Sequence, residues 1–265
     1  MLTFPKRQKS TTAPGTFRAI TALLLREMST TYGRSPGGYL WAVLEPAAGI
    51  ALLAVVFSMM FRAPPLGTDF AMFYATGFLP FLLYSEVSTK VAQSIRFSRP
   101  LLFYPSVTFT DALFARATLN FLTQIVVFFL VITGISLMFE THVQPNIPII
   151  IQSLLMAGLL GFGIGVFNCF LFSIAPVWER IWGVLNRPLF ILSGILYTFE
   201  SVPAIYRDAL WYNPLIHVTA LMRQGFYPTY RPDFISGGYV VALGLVCLAT
   251  GLLFLGSYHR RILNF

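Results

Sequence analysis

The stretch IPIIIQSLLMAGLLGFGIGVFNCFLFSIA, residues 147–175, contains no charged side chain. A membrane with a hydrocarbon core of about 30 Å is crossed by about 20 helical residues, because each residue advances a helix by about 1.5 Å. This stretch is therefore predicted to be a membrane-spanning helix, long enough to tilt or to project beyond the core. Within it, Ala157, Gly161 and Gly165 recur every four residues, which predicts close helix packing through small side chains.

The composition of the whole chain also indicates a membrane protein. Of its 265 residues, 56% are hydrophobic and 11% are charged, whereas a soluble domain carries about 25% charged residues. Five further apolar stretches are long enough to cross a bilayer, at 39–61, 69–88, 117–139, 178–198 and 237–256. The predicted fold is an all-α integral membrane protein with six transmembrane helices and both termini on the same side.

The distribution of charge predicts the orientation of these spans. The formal net charge is +8, and 14 of the 18 Lys and Arg residues fall on the side that holds both termini. By the positive-inside rule that side is the cytoplasm. The basic residues form no groove-binding motif, so we attribute them to membrane orientation and anionic lipid headgroups, and we do not expect nucleic acid as a partner.

Residues 1–38 are predicted to form a cytoplasmic leader that precedes a transmembrane domain of residues 39–265. Thr16, which follows Pro14-Gly15, is a candidate helix N-cap. After it, apolar and polar residues separate onto two faces at helical spacing: Phe17, Ile20, Leu24 and Met28 on one, and Arg18, Arg26 and Ser29 on the other. A basic amphipathic helix of this kind lies in the membrane interface; a simple lead-in to the first span is the alternative.

The longest cytoplasmic loop, residues 89–116, is predicted to contain a short exposed elbow. Pro100 and Pro105 interrupt the helix that enters the loop. Basic and aromatic residues held on this elbow, at about 90–108, suit docking into the groove of a partner protein. A solvated connector is the alternative.

The long outer connection, residues 199–236, contains two further helix signals. Pro203 is expected to open one short helix, and Asn213-Pro214 offers an N-cap followed by proline at the first position of another. Gly225 is expected to end the second helix. At about 16 Å or less, neither helix crosses a bilayer. The segment is nevertheless too apolar for a free loop, so we predict a re-entrant helical pair over about 200–226, between spans five and six, that covers any central path as a lid.

The sequence contains no recognisable site for covalent chemistry. Gly33 and Gly38 have the glycine spacing of a phosphate-binding loop, but Tyr39-Leu40 stands where Lys and Ser/Thr are required. The three histidines are widely separated, and Cys169 and Cys247 both lie in apolar stretches. We therefore expect no metal site and no disulfide framework, and we expect that the chain is not an enzyme.

Two other classes of membrane protein remain as alternatives. A proton-coupled secondary transporter would use ionisable residues inside the spans, for which Glu45 and Glu86 are the candidates. A membrane-embedded glycan or lipid transferase would need polar groups that converge at one depth, and no such set is visible.

The first and fifth predicted spans carry the candidates for a substrate path. Ionisable side chains within spans are functional candidates, and aromatic faces can stack on sugar rings as they do on bases. The candidates are Tyr39, Trp41 and Glu45 of the first span and Trp182, Arg187, Phe190 and Tyr197 of the fifth. An aromatic belt is the alternative for the tryptophans, and snorkelling to the cytoplasmic interface is the alternative for Arg187.

Motifs along essentially the whole chain resemble those of one transporter family. They are Tyr32-Gly33-Arg34, Gly38-Tyr39-Leu40-Trp41 with Leu44-Glu45-Pro46, Leu101-Leu102-Phe103-Tyr104-Pro105 with Val107, Asp111 and Ala115-Arg116, and Tyr212-Asn213-Pro214-Leu215 with Arg223. With these motifs the chain resembles the membrane subunit of bacterial ABC exporters of the ABC-2 type, in particular the capsular polysaccharide export permeases of Gram-negative bacteria.

The resemblance implies a set of partners. It implies a homodimer in the bacterial inner membrane, bound to two copies of a separate ATPase that carries ATP and Mg²⁺, while this chain binds no cofactor. The implied substrate is a lipid-linked acidic capsular polysaccharide, passed toward a periplasmic adaptor and an outer-membrane exporter. An exporter of O-antigen or teichoic-acid type glycans is the alternative within the same class.

The resemblance also implies roles for individual residues. Spans one and five of both copies would line the channel. Coupling to the ATPase would fall to Ser94, Arg96, Arg99, Pro100 and Tyr104 on the elbow. The periplasmic gate would comprise Tyr206, Trp211, Tyr212, Asn213, Pro214 and His217.

Overall fold

The computed structural model of the chain describes residues 14–31, 38–100, 108–139 and 144–263. Within these ranges all regular structure is helical. The elements are α1 (Pro14–Thr31), α2 (Gly38–Met60), α3 (Phe70–Ala92), α4 (Ser94–Ser98), α5 (Phe109–Met138), α6 (Ile147–Ile174), α7 (Pro176–Leu192), a 3₁₀ turn (Phe199–Ser201), α8 (Ala204–Trp211), α9 (Pro214–Phe226) and α10 (Gly237–Leu263).

Five of the described helices are long and apolar enough to cross a membrane, which confirms a multi-pass helical protein. They are Leu40–Met60, Phe70–Ala92, Phe109–Met138, Ile147–Ile174 and Gly237–Tyr258. The third begins earlier than the predicted 117, because Thr108 and Asp111 form a capping box at its start. In that box the Thr108 hydroxyl accepts the N–H of Asp111, and the Asp111 carboxylate accepts the N–H of Thr108 at 2.9 Å.

The remaining predicted span, 178–198, is not confirmed as a membrane-crossing helix. The observed helix, α7, has 17 residues and ends at Leu192. The chain turns directly after it, where Gly194 adopts a φ of 70°, in the left-handed region that favours glycine. The extension of this helix to residue 198 is therefore wrong, and Tyr197 lies in the irregular segment that follows.

The centre of the bundle is α6, which packs closely on α3 and α10. A Cβ added to Gly161 would lie 2.8 Å from the carbonyl oxygen of Tyr84 on α3, and one added to Gly165 would lie 2.9 Å from that of Ser88. A Cβ on Gly163 would come closer still to the carbonyl oxygen of Gly244 on α10. The prediction that small residues of this stretch serve close helix packing is confirmed.

The two short helices predicted between spans five and six are present as α8 and α9, and their re-entrant arrangement stays a prediction. Asn213 caps α9 as predicted, since its side-chain oxygen accepts the N–H of Leu215 at 3.1 Å. Gly225 does not end α9, which continues to Phe226. Instead, the missing side chain of Gly225 lets Ile150 of α6 approach, because an added Cβ would lie 2.7 Å from the Ile150 side chain.

The two outer helices differ strongly in burial. From Leu215 to Arg223 every residue of α9 is buried, and the helix packs on α6 and α3. In α8, Leu210 is buried, whereas Ile205 and Tyr206 are 80% and 63% exposed. The second helix is thus part of the bundle core, and the first lies on its outer surface.

The leader forms α1, which packs on α5. The helix begins at Pro14, so Thr16 lies inside it rather than at the predicted N-cap. The buried face contains Leu23 and Glu27. Met28, predicted on the apolar face, is 39% exposed. The location of α1 in the membrane interface stays a prediction.

Large apolar side chains are exposed on several helices of the single chain, including α2, α5 and α7. On α2 they include Trp41, Leu44, Leu52, Val55 and Met59, and on α7 they include Val177, Ile181, Val184, Leu185 and Ile191. No residue of α7 is buried. Both α2 and α7 therefore lie at the periphery of the bundle, as does the exposed face of α5.

The close approach at Gly163 leads to a stability prediction with a matched control. Gly163→Ala should lower the free energy of unfolding by about 1–3 kcal/mol, because the new methyl group meets a backbone carbonyl that cannot move aside. Gly134→Ala in α5 meets nothing within 4 Å and should be neutral or slightly stabilising. Denaturant unfolding of the detergent-solubilised protein checks both, and equal effects would contradict this packing.

Candidate functional site

A cleft of about 350 Å³ lies between α3 and α7, and Phe172 of α6 also lines it. We call it the α3–α7 cleft. Its walls are Phe81, Ser85 and Thr89 of α3 with Gln93 directly after that helix, and Glu179, Trp182, Gly183, Asn186, Arg187 and Phe190 of α7. The α3 residues recur every four positions and those of α7 every three or four, so each set forms one face of its helix.

Three of the seven predicted channel residues line this cleft. Trp182 and Arg187 lie on its wall, and Phe190 packs edge-to-face on Phe78 and Phe81, with ring centroids 5.9 and 5.6 Å apart.

The other four predicted channel residues lie elsewhere. Trp41 is 60% exposed on α2, and Glu45 is also exposed on that helix. Tyr197 is half-buried beyond the end of α7. The side chain of Tyr39 lies outside the described part of the chain. The structure therefore brings together the candidates on α7, and the α2 candidates do not reach this cleft within one chain.

The cleft is lined by both polar groups and aromatic rings. The Asn186 amide donates to the Ser85 hydroxyl at 3.4 Å. The Asn186 amide oxygen and the Trp182 indole N–H are buried without a hydrogen-bond partner, an arrangement that costs free energy until a partner is supplied. Flat apolar faces beside amide and hydroxyl groups suit a ligand with the same two kinds of surface, such as a sugar ring.

At one end of the cleft, α7 is joined to the segment around α4. The Glu179 carboxylate accepts from the Gln93 amide at 3.1 Å and from the Arg96 guanidinium at 3.0 Å. The Arg96 side chain is 81% exposed and that of Glu179 is 32% exposed. Arg96, which the sequence assigned to docking on a partner, thus has an ionic partner within its own chain.

The other coupling candidates fall into three groups. Arg99 and Pro100 are exposed, and Arg99 lines a second cavity of about 310 Å³ that shares Gln93 and Glu179 with the cleft. Ser94 is buried, and its hydroxyl donates to the Lys90 carbonyl at 3.3 Å. Tyr104 lies outside the described residues.

A second ion pair joins α1 to α5. Arg116 donates through Nε to the Glu27 carboxylate at 2.7 Å, and both side chains are almost fully buried, at 7% and 5% exposure. The Arg116 guanidinium also lies 4.3 Å from the ring centroid of Phe97 in α4. Three helices therefore meet at one buried charge pair.

The predicted gate residues pack around one buried histidine. His217 is fully buried, and its ring lies 5.2 Å from that of Trp211 and 5.7 Å from that of Tyr239. His217 Nε2 donates to the Trp211 carbonyl at 2.8 Å, and Nδ1 accepts the Ser236 N–H at 3.3 Å. These bonds require a neutral imidazole with its proton on Nε2.

Further hydrogen bonds tie the gate candidates to both neighbouring helices. The Asn213 amide donates to the Leu192 carbonyl at the end of α7, at 2.9 Å, and Pro214 is the first residue of α9. The Tyr239 hydroxyl of α10 donates to the Tyr212 carbonyl at 2.7 Å. Tyr206 and Tyr212 have exposed side chains, at 63% and 68%.

Arg223 is a buried cation whose position sequence reasoning did not identify. Its guanidinium donates to the carbonyl oxygens of Ile195 and Tyr197, at 2.9 and 2.7 Å, and lies 4.2 Å from the ring centroid of Phe73. Burial lowers the pKa of Arg223 to about 10, which leaves the side chain charged at neutral pH. It fixes the irregular segment after α7 onto α9.

Sequence reasoning also missed the two carboxylates that bind arginines, Glu27 and Glu179. The signal for Glu27 was an acidic residue on the apolar face of a helix, which requires a buried partner. For Glu179 the signal was weak, since an acidic residue in the first turn of a helix is favourable by itself. Within the described residues no group of three or more His, Cys, Asp or Glu could hold a metal ion.

Comparison with known proteins gives similarity along most of the chain. Residues 18–227 match the family described as ABC-2 type transporter. The chain is 30% identical over 233 residues to the polysialic acid transport protein KpsM of Escherichia coli, covering 88% of this chain and 90% of that protein. It is 26% identical over 247 residues to the capsule polysaccharide export inner-membrane protein BexB of Haemophilus influenzae. It is 25% identical over 251 residues to CtrC of Neisseria meningitidis, which carries the same description. The last two matches each cover 92% of both chains.

The buried ion pair between α1 and α5 predicts a large effect on stability. Glu27→Ala leaves the Arg116 charge buried without its carboxylate and should lower the free energy of unfolding by about 3 kcal/mol. The more exposed Glu86–Lys90 pair, at 4.0 Å, is the control, and Glu86→Ala should cost less than about 1 kcal/mol. Denaturant unfolding in detergent measures both, and similar costs would argue against the anchoring role of Glu27.

The segment around His217 should lose stability in acid. Burial lowers the pKa of His217, so below its ordinary pKa of about 6.5 the unfolded state binds the proton more readily than the folded state. Stability should therefore fall between about pH 7 and about pH 5, because a proton on Nδ1 would oppose the Ser236 N–H. His217→Gln should reduce this pH dependence of the thermal midpoint. If the variant kept the pH dependence of the parent chain, the loss of stability in acid would have to come from other titratable groups.

Proposed function

The chain belongs to the ABC-2 type transporter family, and from that membership we propose that it is the permease subunit of an ATP-driven exporter of capsular polysaccharide. The observation that carries the proposal is the similarity over 88–92% of the chain to relatives named for polysialic acid transport or capsule polysaccharide export. Those names describe inner-membrane proteins, and the apolar helices of this chain agree with that location.

The energy source is a separate ATPase, with which the family implies pairing. We propose a homodimer bound to two ATPase copies, which hold ATP and Mg²⁺. The absence of a phosphate-binding loop from the sequence supports this division of labour. The coupling segment at about 90–108 docks on the ATPase, and the exposed side chains of Arg99 and Pro100 support that role.

The membrane arrangement has six crossings and cytoplasmic termini. The sixth crossing is α7, whose 17 residues extend over about 26 Å, with the segment up to Ser201 completing the passage. The bias of basic residues supports the orientation. In this arrangement α1 lies in the cytoplasmic interface, and α8 and α9 form a re-entrant pair that gates the outer end.

The substrate path runs between the two copies, along the exposed faces of α2 and α7. Trp41 and Glu45 face this path from α2, and the α3–α7 cleft provides ring faces and amide groups beside it. We propose a lipid-linked acidic polysaccharide as the substrate, since one relative is named for polysialic acid. A periplasmic adaptor and an outer-membrane exporter receive the polysaccharide.

Co-purification and transport together test the proposed function. When the chain is co-expressed with its partner ABC ATPase, the two should purify together in detergent. In cells that lack their own capsule permease, the pair should restore surface polysaccharide only if the ATPase can hydrolyse ATP. Export with an ATPase variant that cannot hydrolyse ATP, or without any ATPase, would overturn the proposal. If the pair instead restored a different surface glycan, that glycan would replace capsular polysaccharide as the proposed substrate.

A further inference from the structure

Glu179 joins the segment around α4 to the cleft-forming face of α7. It accepts hydrogen bonds from both Gln93 and Arg96, and it lies three and seven residues before Trp182 and Asn186. This spacing places all three α7 residues on one face. Any displacement of Glu179 is carried by a continuous helix to Asn186, about 10 Å away along the axis.

The two ion pairs around α4 have very different environments. The pair between Glu27 and Arg116 is almost fully buried and is costly to open. It supports α4 through the ring of Phe97, which lies beneath the Arg116 guanidinium. In the pair between Arg96 and Glu179 the arginine is 81% exposed and the carboxylate 32% exposed, and such a pair opens more readily than a buried one because water reaches the charges. Thus the contact of α4 with Arg116 is costly to break, whereas its contact with Glu179 breaks and re-forms easily.

We propose that Glu179 is a positioning residue that transmits movement of the α4 segment to α7 during export. While Gln93 and Arg96 are bound, Glu179 holds α7 against α3 and closes the adjoining end of the α3–α7 cleft. When the ATPase displaces α4, water replaces Gln93 and Arg96 as the hydrogen-bond partner of Glu179. The helix α7 is then free to move. The inference rests on the proposed function, because it assigns α4 to ATPase coupling.

A purely structural role for Glu179 makes a different prediction. A carboxylate in the first turn of a helix is stabilised by the helix dipole, and an arginine at the same position is not. If the dipole were the reason for Glu179, exchanging the two charges with Arg96 would not restore function. If the link between α4 and α7 is the reason, the exchange restores it.

The test is a charge-swap experiment in the complete permease–ATPase complex. Arg96→Glu and Glu179→Arg should each lower the amount of polysaccharide exported per ATP hydrolysed by about fivefold. The double variant Arg96→Glu/Glu179→Arg should restore this ratio to within about twofold of the parent complex. Arg180→Glu, a charge reversal at the exposed neighbouring position on α7, is the control and should leave the ratio unchanged.

The experiment also includes a milder variant and a check of assembly. Glu179→Gln removes the charge but keeps an oxygen that accepts from Gln93, so it should lower the ratio less than Glu179→Arg even if the charge reversals impair folding. Co-purification of the ATPase reports assembly. Failure of the swap to restore coupling in an assembled complex, or a parent-like ratio in the single variants, overturns the role of Glu179. Failure of the parent complex to export with ATP overturns the proposed function instead.

Discussion

Backbone-to-backbone contact along α6 is the constraint on which the rest of the structure depends. Gly161 and Gly163 bring two different helices, α3 and α10, against the same helix. In a bilayer, where apolar burial drives helix association weakly, such close packing and hydrogen bonds between helices carry the stability. Because α3 uses one face against α6, the neighbouring face with Ser85, Thr89 and Gln93 is left to α7. The site is thus a consequence of how the core is packed.

Much of the fold could be predicted from the sequence, because its strongest signals are local. A charge-free stretch of sufficient length predicts a span, and Asn213-Pro214 predicts a helix start. The end of α7 was less predictable, since apolar residues continue beyond Gly194 and only the backbone conformation there stops the helix. The candidate site was predicted in part. Trp182 could be assigned from its residue type, but the partners of Glu179 and Glu27 lie 86 and 89 positions away, and no local pattern identifies them.

The two ends of the molecule hold their polar groups in different ways. At the α9 end, His217 and Arg223 are buried and form hydrogen bonds with backbone groups. Bonds of this kind are costly to break, since each group would be left without a partner in a poorly solvated environment. At the α4 end, the bonds of Glu179 are accessible to water, which offers alternative partners at little cost. A movement that begins at α4 therefore meets less resistance than one that begins around His217 and Arg223.

Arg187 provides an independent reason to place α7 beside a hydrated path. It is exposed in the single chain and lies eight residues beyond Glu179, which corresponds to about 12 Å along the helix. If Glu179 is near the cytoplasmic interface, Arg187 is well within a core of about 30 Å, too deep for its own side chain to reach the headgroups comfortably. An arginine at that depth is stable only beside water or a polar protein surface. Because Arg187 lines the α3–α7 cleft, this argument favours a hydrated cleft beside α7, in agreement with the passage proposed between two copies of the chain.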